Sequence, residues 1–256
     1  MIRMIEMKFK SGLSAFLISV ITASVGFAQT EKNSCSDAYL KLNEEYKAAM
    51  ERYSKKLESI DDEKERAAAK TNDPAFDYVP RFAKLMKDHS EDPAALDAAI
   101  WVACSNNKSP EVVSEALKLI REKFVTSDKL ADVVQTLRRS DSPEAISLLR
   151  SVIQKNPSKK LQGLATLMLA QKLANNSSAE AEALFEDLVK NYSNTENIGR
   201  QKGTLSEIAG KCLYEIRNLS VGRIAPNISG EDANGKKMSL NDYRGKVVLL
   251  TFWGDW

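Results

Sequence analysis

The sequence predicts a mainly α chain: an irregular helical-repeat domain followed by the first elements of an α/β domain. Three observations carry that expectation. Apolar residues between Tyr39 and Leu219 recur at three- and four-residue steps, the period of a helix with one buried side. Helix-start signals return at a repeat-like interval within that stretch. From Val221 onward, glycines, turn signals and a β-branched run replace the helical period. The 256 residues suffice for one large domain or two ordinary ones. With 43% hydrophobic and 28% charged residues, the composition argues against disorder. Its 37 basic and 35 acidic residues nearly cancel, so charge gives no reason to expect nucleic acid or a membrane surface as partner.

The amino terminus reads as a targeting segment. Arg3, Lys8 and Lys10 precede an uncharged, mostly apolar run from Leu13 to Phe27. Gly26 and Ala28 supply small residues at positions −3 and −1 of a cleavage site before Gln29. Residues 1–28 are therefore expected to be a signal peptide, and the mature chain an exported protein of the periplasm or cell envelope. The run is shorter than the roughly 20 apolar residues that span a bilayer. An uncleaved anchor is the alternative; after cleavage no membrane span is expected. Lys32-Asn33-Ser34 before Cys35 lacks the apolar and small residues that precede a lipidated cysteine.

Residues 29–72 read as a long amphipathic helix. Tyr39, Leu42, Tyr46, Ala49, Tyr53, Leu57 and Ile60 make one apolar seam on a charged helix reaching towards Lys70. The seam serves either a helix lying on its own domain or a coiled-coil arm, and its small and aromatic members favour the first.

Residues 73–219 read as an irregular helical-repeat domain. Ser109-Pro110-Glu111 and Ser142-Pro143-Glu144 are the same start signal, 33 residues apart. Serine caps a free N–H, proline suits the first helical position, and glutamate favours the positive end of the helix dipole. The set Leu148, Leu149, Val152, Ile153 returns 36 residues later as Leu184, Phe185, Leu188, Val189. Two helices per such period is the pattern of stacked helix-turn-helix repeats. The segment from Glu182 to Tyr192 resembles a tetratricopeptide-type helix, although that family's full residue pattern is absent. Such a domain leaves one surface free, either for a protein or peptide partner or as a plain spacer.

Residues 220–256 begin something different. Asn234-Gly235 is a hairpin signal, because both residues tolerate positive φ. Ser239-Leu240-Asn241-Asp242 can start a short helical turn. The run from Val247 to Trp253 reads as a central strand buried on both faces. Gly222-Arg223-Ile224-Ala225-Pro226, Asn234 to Leu240, and Tyr243 to Trp256 together resemble the opening of a TlpA-like redoxin. That group belongs to the thioredoxin-like superfamily, beside the alkyl hydroperoxide reductase/thiol-specific antioxidant proteins. The resemblance implies an α/β thioredoxin-like domain with a C-x-x-C pair next after Trp256, so the chain is expected to be truncated just before that motif. It further implies thiol–disulfide oxidoreductase activity by dithiol exchange, with protein dithiols and disulfides as substrates.

No catalytic, cofactor-binding or metal-ligating residue is assigned within this chain. Cys35, Cys104 and Cys212 have no C-x-x-C spacing, and Cys104 and Cys212 sit in apolar helical contexts that suit core-filling thiols. Those three and the single His89 make no metal set. No cofactor is expected, and the chain alone is expected to be inactive in exchange. Two other functions stand beside the exchange reading. One is a peroxiredoxin-like thiol peroxidase, which shares Ala225-Pro226 and Gly245-Lys246. The other is a helical-repeat protein-binding module with a decayed redox domain. The tryptophan-rich ending from Phe252 to Trp256 favours exchange over peroxidase chemistry.

Overall fold

The computed structural model describes residues 14–105, 109–140, 142–174 and 179–251, with side chains from residue 35 onward. The described chain is mainly α, with one small antiparallel hairpin near its end. Arg3, Lys8, Lys10 and Leu13 of the expected signal segment lie outside the described residues. From Ser14 the backbone is helical without a break through Glu58, forming α1.

The long helix expected to reach Lys70 stops at Glu58 and restarts as α2, Glu63–Ala69. The cause is local. Asp62 takes an extended backbone and its carboxylate accepts the N–H of Glu65 at 2.8 Å, so it caps a new helix. Arg66 ties the junction by donating to the carbonyl of Ile60. The seam of α1 lies on the same molecule. Tyr39 meets Phe82 edge-on at 5.9 Å between ring centroids, and Tyr46 meets Tyr78 at 5.4 Å and Trp101 at 4.8 Å.

After a short 3-10 turn at Lys70–Asn72, helices pair in succession. They are α3 (Ala75–Asp88), α4 (Ala95–Cys104), α5 (Pro110–Lys123), α6 (Ala131–Leu137), α7 (Pro143–Lys155), α8 (Lys159–Ala174), α9 (Ala179–Asn191) and α10 (Leu205–Asn218). Most pack on their sequence neighbours and on the helix two places along, the α5–α6 and α7–α9 pairs excepted, which makes two layers: α3, α5, α7, α9 in one and α4, α6, α8, α10 in the other. Pro110 and Pro143 open α5 and α7, and the Ser142 hydroxyl accepts the N–H of Glu144 at 3.3 Å. The 36-residue recurrence holds in burial at Ala145 and Ala181, Leu149 and Phe185, and Val152 and Leu188, while Leu184 is only half-buried and Val189 is exposed.

The centre of the stack is α8, buried on nearly every side from Leu161 to Ala170. Its sequence is apolar all round, so it suits a position between neighbours rather than at a surface. Gly163 is needed there: a Cβ would stand 2.3 Å from a methyl of Leu205 and 2.8 Å from the Tyr192 ring. On the outer layer, ion pairs join helix to helix: Lys87–Glu115 at 2.7 Å, Arg121–Glu144 at 3.2 Å and Arg150–Glu180 at 2.7 Å. Exposed pairs contribute at most about 1 kcal/mol each, so this row sets register more than stability.

One buried polar residue holds a loop. Asn156, 1% exposed, donates its amide to the carbonyls of Val125 at 2.8 Å and Ser127 at 2.9 Å. Its side-chain oxygen accepts the N–H of Ser158 at 2.9 Å. The α5–α6 connection is thereby fastened to the end of α7.

Candidate functional site

The first region to weigh is the segment that resembles a redoxin. Ser229–Glu231 (β1) and Lys237–Ser239 (β2) pair antiparallel, with Gly230 opposite Met238. Asn234-Gly235 lies inside a five-residue connection from Asp232 to Lys236. The Asp232 carboxylate accepts the N–H groups of Asn234 and Lys236, both at 2.9 Å, and Gly235 takes φ of 76°. Asn227 then clasps the hairpin's far end. Its side-chain oxygen accepts the Ser239 hydroxyl at 2.8 Å and the Asn241 N–H at 3.0 Å. The expected short helical turn is present as Leu240–Tyr243, with the Asp242 carboxylate accepting the Ser239 N–H at 3.0 Å.

The expected central strand is not formed. Residues 247–251 belong to no sheet, and Val247 and Leu249 are fully exposed at 104% and 91%. The reason is that the described chain offers no partner strand: β1 and β2 pair only with each other, and no described residue from 221 to 251 is buried. Phe252 to Trp256 lie outside the described residues. The apolar run therefore has neither ladder nor core to enter.

The three cysteines are free and sit in separate surroundings. Cys35 is buried where α1 meets the stack, and its thiol pKa is raised by burial and by Asp92 and Asp97. Cys212 is half-buried on α10, raised by burial and Glu215 against a smaller opposing hydrogen bond from Gln171. Cys104 corrects the core-filling expectation, because it is exposed. The buried face of α4 is Ala95, Leu96, Ala98, Ala99 and Val102, and two residues beyond Val102 the helix has turned by roughly 200°. Protein atoms nevertheless surround enough of the thiol to push its pKa up to about 11. Burial and Asp132 raise it, while Thr136 and Arg200 pull in the other direction. None of these is a thiolate poised for attack at neutral pH. Among the described residues, no group of three His, Cys, Asp or Glu side chains is placed to hold a metal ion.

Cys104 borders a second region, a cavity of about 770 Å³ in the layer of α4, α6 and α8. Cys104, Thr136, Met168 and Arg200 line it and lie 32 residues apart in sequence. Cys104, Thr136 and Met168 come from α4, α6 and α8, and Arg200 joins them from the connection before α10. The α9–α10 connection closes one side. Gln135 accepts the backbone N–H of Arg200 at 3.0 Å, and Gln171 donates to Gln201 at 3.3 Å. Sequence reasoning missed this cavity, although the 32-residue spacing of its lining was a signal available to find it.

Comparison with known proteins gives local similarity of one kind. Thiol-disulfide oxidoreductase ResA of Bacillus cereus is 40% identical over 57 residues, covering 20% of this chain and 33% of that protein. ResA of Bacillus subtilis is 51% identical over 39 residues, covering 15% and 22%. ResA of Geobacillus kaustophilus is 47% identical over 38 residues, covering 15% and 22%. The chain thus spans about a third or less of the curated relatives it matches. Each match is local and covers a fifth or less of this chain. No protein-family model matches the chain, and no solved structure matches it. No described helix is long and apolar enough to cross a membrane.

Proposed function

We propose that residues 220–256 are the leading part of a TlpA-like thiol–disulfide exchange domain, carried by an exported protein that acts on protein dithiols and disulfides. The supporting observation is the local identity to ResA proteins, two of whose matches, 39 and 38 residues long, are close in length to this segment. The exposed run Val247 to Leu250 suits the same reading, as a strand whose backbone groups await neighbours.

The chemistry requires a thiolate that attacks one sulfur of a substrate disulfide. That S–S bond breaks and its other sulfur leaves as a thiolate. A second thiol then attacks the mixed disulfide, so the enzyme pair is oxidised by two electrons and the substrate reduced by two. Cys35, Cys104 and Cys212 are poor candidates, since their pKa values are raised and they are not paired. The reading therefore assigns the dithiol to the C-x-x-C pair that the resemblance places after Trp256, with that part of the chain needed for activity. Export rests on the order of Arg3, Lys8 and Lys10, the apolar run, and Gly26 and Ala28.

Insulin reduction with dithiothreitol tests the assignment. The 256-residue chain should not exceed the uncatalysed control. The chain joined after Trp256 to a C-x-x-C continuation and the remainder of a thioredoxin-like domain should accelerate it. Equal acceleration by both would make one of the three present cysteines the nucleophile, and the proposal would be wrong.

A further inference from the structure

We propose that the cavity formed by α4, α6, α8 and the α9–α10 connection binds an acidic peptide segment, its carboxylate held by Arg138, Arg139 and Arg200. All three arginines line the cavity, two from the end of α6 and one from the connection. Among the described residues, no aspartate or glutamate lines it with them. Asp132, which raises the Cys104 pKa, stands on α6 outside the lining.

Pairing elsewhere sharpens the contrast. Arg81, Arg121, Arg150 and Arg217 each hold a glutamate. Among the described residues no ion pair takes up Arg138, Arg139 or Arg200. All three are exposed cations on one cavity, and a planar carboxylate matches the donor geometry of a guanidinium group. The opening of α7 adds to this, since Ser142 and Pro143 line the cavity and bring the positive end of a helix dipole. The end of α6 acts in the opposite sense, and Arg138 and Arg139 neutralise it there.

The remaining lining argues for a peptide rather than a bare oxyanion. Val113, Pro143 and Met168 offer apolar contact for side chains. The side-chain oxygens of Gln135 and Gln201 accept from Arg200 and Gln171, and their amide N–H groups can donate to a peptide backbone. The volume of about 770 Å³ lies within the range of sites that enclose a small ligand or a few residues. Arg200 is also held in place. Its own N–H is bound to Gln135, and a Cβ on Gly199 would stand 3.0 Å from a Leu164 methyl, so the connection lies close against α8. Little ordering of that wall is left for the binding step. The site is independent of the exchange reading.

Fluorescence anisotropy on the 256-residue chain decides the matter. The probe is a dye-labelled octapeptide Gly-Leu-Asp-Glu-Leu-Asp-Ala-Leu with a free carboxyl terminus. Its comparators are the C-terminally amidated form and the analogue with Asn and Gln in place of Asp and Glu. The acidic peptide should bind at least about tenfold more tightly than the Asn/Gln analogue. Arg138→Ala with Arg200→Ala should weaken it by at least about tenfold, with helical circular dichroism and melting temperature unchanged. The Lys double variant should retain most of the affinity. Equal binding of the amidated form makes side-chain carboxylates the source, and its loss makes the terminus the source; both support the proposal. Binding that ignores carboxylates or ignores the arginines would overturn it. So would no binding at millimolar peptide, or displacement by equimolar inorganic phosphate, which would make this a small-oxyanion site.

Discussion

Asn156→Asp preserves the shape of a buried side chain and reverses the polarity of half of it. The oxygen that accepts from Ser158 survives, but the amide that serves Val125 and Ser127 becomes a second oxygen facing two carbonyls. Stranding a buried carbonyl costs about 1–3 kcal/mol. The Val125 contact is buried and the Ser127 contact only partly so, which gives a loss of about 3 kcal/mol for the two. For a unit of this size that lowers the melting temperature by about 6–12 °C. The pH dependence has a definite sign. Burial against two carbonyls raises the folded-state pKa of the new carboxyl above its unfolded value, so the native state binds the proton more tightly. The deficit relative to wild type is full above the folded pKa. It shrinks as pH falls through that pKa, when the protonated carboxyl regains one donor. Thermal melts of both proteins at about pH 7.5 and about pH 4.5, compared at each pH, read this directly. A drop below about 2 °C, or a deficit that grows on acidification, would refute the account of the loop.

Three further outcomes follow from the same contacts. Excised residues 73–219 should give a strongly helical spectrum and a cooperative melt, and a segment from residue 35 to 219 should melt higher, because α1 covers Phe82 and Trp101. A non-cooperative melt of the shorter segment, or no gain from the longer one, would count against that packing. Iodoacetamide should label Cys104 in the native chain with a rate that climbs towards a midpoint of about 11, and Arg200→Ala should move the midpoint higher, since Arg200 lowers it. A midpoint near that of a free thiol would contradict this. Mass spectrometry of chain recovered from the cell envelope should find Gln29 at the amino terminus; an intact Met1 would remove the basis for export.

How far the sequence carried depended on whether a signal was local. The starts of α5 and α7 were legible because proline and glutamate stand in the first turn of both, although the serine hydroxyl caps α7 and Ser109 makes no such cap on α5. The equivalence of α7 and α9 was legible because burial selects the same apolar spacing in both. The break after Glu58 was hidden by Leu57 and Ile60, which continue the apolar period across it, although Asp62 with Glu65 spelled a cap. No amphipathic pattern marks α8, since a helix enclosed by neighbours has no polar face to alternate with. The strand expected from Val247 onward needed partners that the described chain does not supply, and composition alone could not reveal that. The cavity arises only when residues a repeat apart are stacked, so no single window of sequence contains it.

The Asn227 clasp has a consequence for the order in which the chain acquires shape. Every hydrogen bond that closes the hairpin and its following turn spans at most 14 residues, from Asn227 to Asn241. Short loops close quickly and at little entropic cost, so this piece can organise as soon as its last residue is made. It waits for neither the helical stack nor any later strand. Val247 to Leu250 then follow directly on this locally closed piece, joined to it through Gly245, whose φ is 82°. During synthesis the hairpin would serve as a nucleation point for whatever sheet forms on that run.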